Sequence, residues 1–229
     1  MSFTIKHLSN KEEWLEAKLG TIGGSSASSI LGQNPYKSNK EAWAEIIGIK
    51  EAEDISNKPN VRYGTLAESH LRELFALDFE TVYKVENPPT SGYDLIISDK
   101  YPYMVGTLDG TLIELATNRK GILEIKTTEI LSSMQNERWY DSEKKVPVIP
   151  MNYLIQVLHY LMITGYDFAV LHAQLKYERD GDIWTVRRSF LIERGEYLDS
   201  IEYLEKEEKN FYEKYVKTRK EPPLVISGL

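Results

Sequence analysis

The feature that most restricts how this chain can fold is a change of hydrophobic period near residue 80. From Asn60 to Phe79, Leu66, Ala67, Leu71, Leu74 and Phe75 recur at the spacing of an amphipathic helix. The period then shortens to that of extended chain. Thr81 to Val85, Tyr93 to Ser98, Met104 to Leu108, Thr111 to Leu115 and Gly121 to Lys126 read as successive strands separated by turns. Helical spacing returns after Pro147 and Pro150, over Met151 to Thr164, and Gly165 stops it.

The flanks fit around this centre. The spacing predicts a helix over Asn10 to Lys18 with Ser9 as its N-cap. A Gly- and Ser-rich turn then opens a short helix over Ser26 to Leu31, which the turn Asn34-Pro35-Tyr36 ends. Glu41 to Ile47 reads as a further helix, followed by a polar loop to Asn60. Val170 to Tyr177 and Ile183 to Leu191 form a hairpin pair about Arg179-Asp180-Gly181-Asp182, and a charged helix from Glu196 to Lys217 precedes a loose PPLVISGL tail. Helices, a run of strands, a helix, two strands and a helix predict one α/β domain over 1–229, with a central mixed β-sheet flanked by helices.

Composition limits the chemistry. The chain has no cysteine, which removes disulfides, thiolate metal sites and cysteine nucleophiles together. Any metal must rest on carboxylates, carbonyls or the four histidines, a donor set suited to magnesium or manganese. His7, His70, His159 and His172 lack metal-ligand spacing and read as structural or exposed. A net charge of −7 argues mildly against coating nucleic acid by bulk electrostatics, yet leaves room for a local basic channel. The richest apolar run, Tyr153 to Ile163, is broken by Gln156 and His159, so no membrane span is expected. The N-terminal residues do not have the build of a signal peptide, which makes the cytoplasm the expected location.

The sharpest local feature is Gly106-Thr107-Leu108-Asp109-Gly110 followed by Leu123-Glu124-Ile125-Lys126. Phosphodiester hydrolysis needs carboxylates to hold a divalent ion, and a group that assists water. Asp109 before a turn and Glu124 on the next strand are placed to face one ion. Glu124 and Lys126, two apart, share one side of that strand, while Ile125 points to the core and keeps its carbonyl free. Asp-Gly also occurs in plain hairpin turns, and Glu-x-Lys in plain surface ion pairs, so the motif alone decides neither way. Further elements bear on the choice. Glu68 follows Gly64 on the helix before the strands, Gln156 and Tyr160 share a face of an apolar helix, and Ser25 follows Gly23-Gly24 where it could cap a helix or receive a phosphate.

Taken in order, these pieces resemble the phage lambda exonuclease type (YqaJ-like) of viral recombination nuclease, a branch of the PD-(D/E)xK superfamily. The resemblance runs over about 14–166, through Trp14-x-x-x-Lys18-Leu19-Gly20-x-Ile22-Gly23-Gly24-Ser25, Gly64-x-x-x-Glu68, Gly106-Thr107-Leu108-Asp109-Gly110, Glu124-Ile125-Lys126 and Gln156-x-x-x-Tyr160. The hairpin and helix of 167–229 lie beyond it. The resemblance implies a PD-(D/E)xK nuclease core and a Mg²⁺-dependent exonuclease, with Mn²⁺ as an alternative, that degrades one strand of duplex DNA from its 5′ end. Asp109, Glu124, the Ile125 carbonyl and Glu68 would bind two metal ions; Lys126 would assist the attacking water and Gln156 would orient it or Lys126. Lys18, Ser25, Thr107 and Tyr160 would contact the DNA or its 5′-phosphate. Family members form ring-shaped homo-oligomers, which favours a trimer here, and work with a single-strand annealing protein, for a phage-encoded chain in the bacterial host cytoplasm.

Two departures stand out. Lys18 occupies a position where the family often has arginine, replacing a two-pronged contact with a point charge. Thr127-Thr128-Glu129 supplies no basic residue after Lys126, and Arg138 is the next candidate. Two other readings remain open at this point: a structure- or sequence-specific endonuclease on the same fold, and a DNA-binding protein that does not cut.

Overall fold

The computed structural model describes residues 3–87 and 92–225. Its strands are β1 (Phe3–Lys6), β2 (Ile22–Gly23), β3 (Tyr83–Glu86), β4 (Leu95–Ser98), β5 (Met104–Gly106), β6 (Gly110–Glu114), β7 (Lys120–Ile130), β8 (Tyr140–Asp141), β9 (Val146–Pro147), β10 (Phe168–Arg179) and β11 (Asp182–Glu193). Its helices are α1 (Lys11–Lys18), α2 (Gly24–Ile30), α3 (Asn39–Ile46), α4 (Pro59–Asp78), α5 (Ser133–Glu137), α6 (Met151–Thr164) and α7 (Leu198–Phe211). The predicted last helix divides: a 3₁₀ turn over Arg194–Tyr197 precedes α7 and a π turn over Tyr212–Val216 follows it. The end of the expected tail, 226–229, lies outside the described residues.

The mixed sheet is present, but the strand run is shared between two sheets. Among the described residues one sheet has the order β11-β10-β7-β6-β3 and another β1-β4-β5-β2, with β8 and β9 forming a small ribbon. In the first, β7 pairs antiparallel with β6 and parallel with β10, so α6 is the crossover between parallel neighbours. β10 and β11 form the predicted hairpin through a two-residue turn, Asp180 (φ 54°) and Gly181 (φ 88°), whose positive angles match the twist of paired strands.

Each face of this sheet meets a different helix. Leu71 and Phe75 of α4 pack with Leu112, Leu123, Ile125, Phe168 and Val170. Leu66 and Leu74, expected on the same stripe, are 62% and 42% exposed, because the buried line follows the four-residue spacing of Ala67, Leu71 and Phe75. On the opposite face, Val157, Leu161 and Met162 of α6 pack against Ile122, Leu171 and Ala173. Fully burying a side chain of this size stabilises the fold by roughly 1.5–3 kcal/mol. A smaller cluster joins Ile22, Ile30 and Trp43 to Phe211 and Val216, and the Trp43 indole donates to the Tyr215 carbonyl at 3.0 Å.

Local signals explain most boundaries. Asn10, not Ser9, caps α1: its Oδ1 accepts the Glu13 N–H at 2.9 Å, while Ser9 donates its own N–H to Glu13 Oε2. Gly165 ends α6 at φ 71°, the left-handed conformation that glycine adopts without penalty. Among the described residues no helix is long and apolar enough to cross a membrane.

Candidate active site

The site forms where β6 stops short of β7. β6 begins at Gly110, opposite Leu123, so β7 continues beyond its partner's end from Glu124 onward. Asp109, immediately before β6, fills the gap: its Oδ2 accepts the Ile125 N–H at 2.7 Å. The N–H and C=O of one strand residue leave on the same side, so the Ile125 carbonyl emerges beside Asp109 rather than into the ladder with β10. The Ile125 side chain packs in the core beneath α4, as expected.

Glu124 and Lys126 point to the other face, towards α6. Lys126 Nζ lies 2.7 Å from Glu124 Oε1, and Gln156 Nε2 donates to the same oxygen at 2.9 Å. Gln156 Nε2 also donates to the Tyr160 hydroxyl at 3.0 Å. Glu124 is 2% exposed, and its other oxygen, Oε2, is buried without a hydrogen-bond partner. Glu68 enters from α4 through Arg72, whose Nη1 lies 3.5 Å from Glu68 Oε1 and donates to the Asp109 carbonyl at 2.7 Å. The sequence reading missed Arg72; the Glu68-x-x-x-Arg72 spacing was its available signal.

The electrostatics are those of crowded acids around two cations, Lys126 and Arg72. Burial, then the nearby Asp109 charge, push the Glu124 carboxyl up, with Lys126 acting against them. Asp109 is raised by desolvation, against which Lys126 and the Ile125 N–H work. Burial and Asp109 raise Glu68 as well. Burial opposes the Lys126 charge, but Glu124 and Asp109 outweigh it and hold the ammonium above the ordinary lysine range.

Three glycines of the motifs are packing necessities. A Cβ on Gly24 would lie 2.7 Å from Tyr160 Cε1, and one on Gly106 would lie 2.8 Å from the same atom. The parallel pairing of β2 with β5 puts these two glycines side by side against the ring. A Cβ on Gly64 would meet Thr127 Oγ1 at 2.8 Å, so the glycine lets α4 approach β7.

The four residues expected to contact DNA lie in different surroundings. Tyr160, expected to contact DNA, is 4% exposed, and its hydroxyl accepts from Gln156 beneath Glu124. Ser25 does not cap α2, because Gly23 holds that position; Ser25 is exposed in the first turn. Ser25 and Thr107 each follow one of the paired glycines, which brings the two segments together. Lys18 lies over the Trp14 ring at 4.0 Å, and burial, then Lys37, lower its pKa while Glu45 raises it. Lys18, Ser25 and Thr107 do not line the large cavity of about 1180 Å³, whose walls include Glu68, Lys126, Lys37, Tyr153 and Arg138. Arg138, uncertain from sequence, thus shares a cavity with Lys126. The histidines stay outside the site: His159 is buried against Glu208 at 2.8 Å and tied to the Val105 carbonyl at 2.9 Å, while His70 is exposed.

A sequence profile of the YqaJ-like viral recombinase domain matches residues 13–167, more than half of the chain and every motif described above. The chain belongs to this family. This YqaJ-like chain is 30% identical over 186 residues to the "Uncharacterized protein YqaJ" of Bacillus subtilis (strain 168), a match covering 76% of this chain and 52% of that protein. It therefore spans about half the length of that curated relative. The YqaJ-like fold is similar to an alkaline exonuclease (LHK-Exo) from Laribacter hongkongensis, with a TM-score of 0.59, 19% identity and coverage of 92% of this chain and 96% of that one. A phage related exonuclease from Haemophilus somnus 129PT gives a TM-score of 0.50 at 16% identity, covering 87% of this chain and 96% of that one. The fold is accordingly the α/β, PD-(D/E)xK type that the motif order implied.

Proposed function

We propose that this YqaJ-like chain is a divalent-metal-dependent exonuclease that degrades one strand of linear duplex DNA from its 5′ end, in homologous recombination of the phage type. The observation that carries this reading is Glu124 Oε2: a buried carboxylate oxygen without a partner, close to the Asp109 charge and behind Lys126, which lines the large cavity with Glu68 and Ile125. Leaving such a group unpaired is costly, and a site for positive charge accounts for the cost. The two exonucleases of similar fold support the same reading, and a second LHK-Exo structure holds dAMP.

The donors fit a hard cation. Asp109, Glu124, Glu68 and the Ile125 carbonyl are all oxygen ligands, the set that Mg²⁺ or Mn²⁺ prefers. Among the described residues no three acidic or histidine side chains are grouped to enclose an ion as they stand. Loading would therefore require side-chain adjustment around the Glu124–Lys126 contact. When bound, one or two such ions supply positive charge against the scissile phosphate and lower the pKa of water. Lys126 brings a fixed positive charge to the phosphate and helps orient the water. Gln156 holds Glu124 in place, and Arg72 fixes Glu68 relative to the Asp109 turn.

Lys18, Ser25 and Thr107 complete the proposal as contacts for a 5′-terminal phosphate. Faster digestion of 5′-phosphorylated than of 5′-hydroxyl ends, with the difference narrowed by Lys18→Ala, is the expected sign. A trimer around the DNA and a single-strand annealing partner, in a bacterial host cytoplasm, belong to the same proposal; light scattering that finds only a 26.4 kDa species removes the trimer. The overall test is incubation with end-labelled linear and closed circular duplex, with and without Mg²⁺. Loss of the linear substrate only, and only with metal, is expected. Opening of the circle would mean an endonuclease, and no change in either substrate a non-cutting binder.

A further inference from the structure

The mouth of the cavity carries a pair of residues that this mechanism does not use. After α2, Gly32 turns the chain at φ 67°, and the Asn34 Oδ1 accepts the Tyr36 N–H at 2.9 Å in a turn stiffened by Pro35. The turn presents the Tyr36 side chain outward, 73% exposed. From the opposite wall, Arg138 at the end of α5 donates to the Tyr36 hydroxyl at 3.2 Å, with its guanidinium carbon 5.6 Å from the ring centre. Tyr36 also borders a second cavity of about 350 Å³, so its ring stands as a ridge between two hollows.

Neither member is explained by packing or charge balance. A ring so exposed buries little surface, and one guanidinium near its hydroxyl end leaves a face bare. The cavity's Lys37, Lys50, Lys58, Lys126 and Lys176 each lie within ion-pair distance of a glutamate. Arg138, among the described residues, has no carboxylate partner and spends its donor on a phenol. An open aromatic face next to an unneutralised guanidinium matches the two halves of a nucleotide: the ring accepts a base, and the cation accepts the adjoining backbone phosphate.

We infer that Tyr36 is a base-stacking contact for the DNA strand entering the cavity, with Arg138 holding its ring and adding charge beside it. The inference rests on the nucleic-acid reading above and names a contact within it. The full chain, in EDTA to prevent cutting, is titrated into duplexes bearing 2-aminopurine at successive positions near the 5′ end, with a dye on the far end for anisotropy. The wild type is expected to raise anisotropy and to change 2-aminopurine fluorescence at a particular position. Tyr36→Phe keeps that change; Tyr36→Ala abolishes it and weakens binding about tenfold, the scale of one lost base–aromatic contact. A folded Tyr36→Ala with wild-type fluorescence and affinity overturns the stacking contact and leaves the nuclease reading intact. No anisotropy change with the wild type overturns both.

Discussion

Gln156 of α6 donates to Glu124 of β7 at 2.9 Å and to Tyr160 on its own helix at 3.0 Å, both from one side-chain nitrogen. A single amide thus sets the carboxylate relative to a ring that is itself wedged between two glycines. Gln156→Ala is expected to lower the digestion rate about tenfold, because Glu124 loses its neutral partner while keeping Lys126. Gln156→Glu is expected to cost more, since it sets a second carboxylate against Glu124 Oε1. Initial rates on a linear duplex check the order wild type, Ala, Glu. A Gln156→Glu enzyme as fast as the wild type would remove this contact from the mechanism.

The paired glycines yield a stability prediction. Gly24→Ala and Gly106→Ala each bring a methyl carbon to 2.7 and 2.8 Å from Tyr160 Cε1 in a buried region, so the ring or the backbone must shift. Overpacking of this kind costs about 1–3 kcal/mol. Thermal melting should fall by roughly 2–10 °C for a chain of this length. Gly181→Ala in the hairpin turn meets no neighbouring atom and serves as the comparison, its cost confined to backbone strain at φ 88°. Unchanged melting of both Tyr160-facing variants would show that the ring can move aside.

Those glycines also mark where sequence reading stops. Met151–Thr164 and the β10–β11 hairpin were legible because their periods and their Gly165 and Asp180-Gly181 punctuation are local. The shared side of Glu124 and Lys126 was legible because alternation along one strand, β7, fixes it. β1 and β2 were not, being too short to show a period and defined by partners far along the chain. The division of the strand run into two sheets was hidden for the same reason. The burial of Tyr160 followed from a tertiary approach, and a helical face shared with Gln156 reads alike whether it meets DNA or a strand. Arg72 and Tyr36 lay on plausible surface positions, and only the fold shows what each one reaches.

The buried imidazole of His172 gives a pH dependence. Its Nδ1 is 2.8 Å from the Ser189 hydroxyl, its Nε2 is buried without a partner, and Phe75 meets it edge-on. Desolvation, then the Arg187 charge, lower its pKa from 6.5 to about 4. With the folded value below the unfolded one, the unfolded chain takes up the proton first. The neutral ring therefore keeps its full contribution above pH 6.5 and loses it progressively as the pH falls towards 4. Urea unfolding at pH 7.5 and 5.0 should show His172→Gln losing less stability across that interval than the wild type, by on the order of 1–2 kcal/mol. Equal losses in the two proteins would place the proton elsewhere.

The central claim is that Asp109, Glu124 and Lys126 form the cutting site, and substitution at the two β7 positions tests it most directly. Glu124→Gln removes a charge that faces the proposed cation site, and Lys126→Ala removes the fixed positive charge beside it. The measurement is the initial rate of Mg²⁺-dependent digestion of a linear, 5′-phosphorylated duplex, made on variants shown by circular dichroism to be folded and by anisotropy to bind DNA ends. Each is predicted to lose activity on the order of 10²-fold or more while end binding persists. A folded, DNA-binding Glu124→Gln or Lys126→Ala that digests the duplex near the wild-type rate would contradict the assignment.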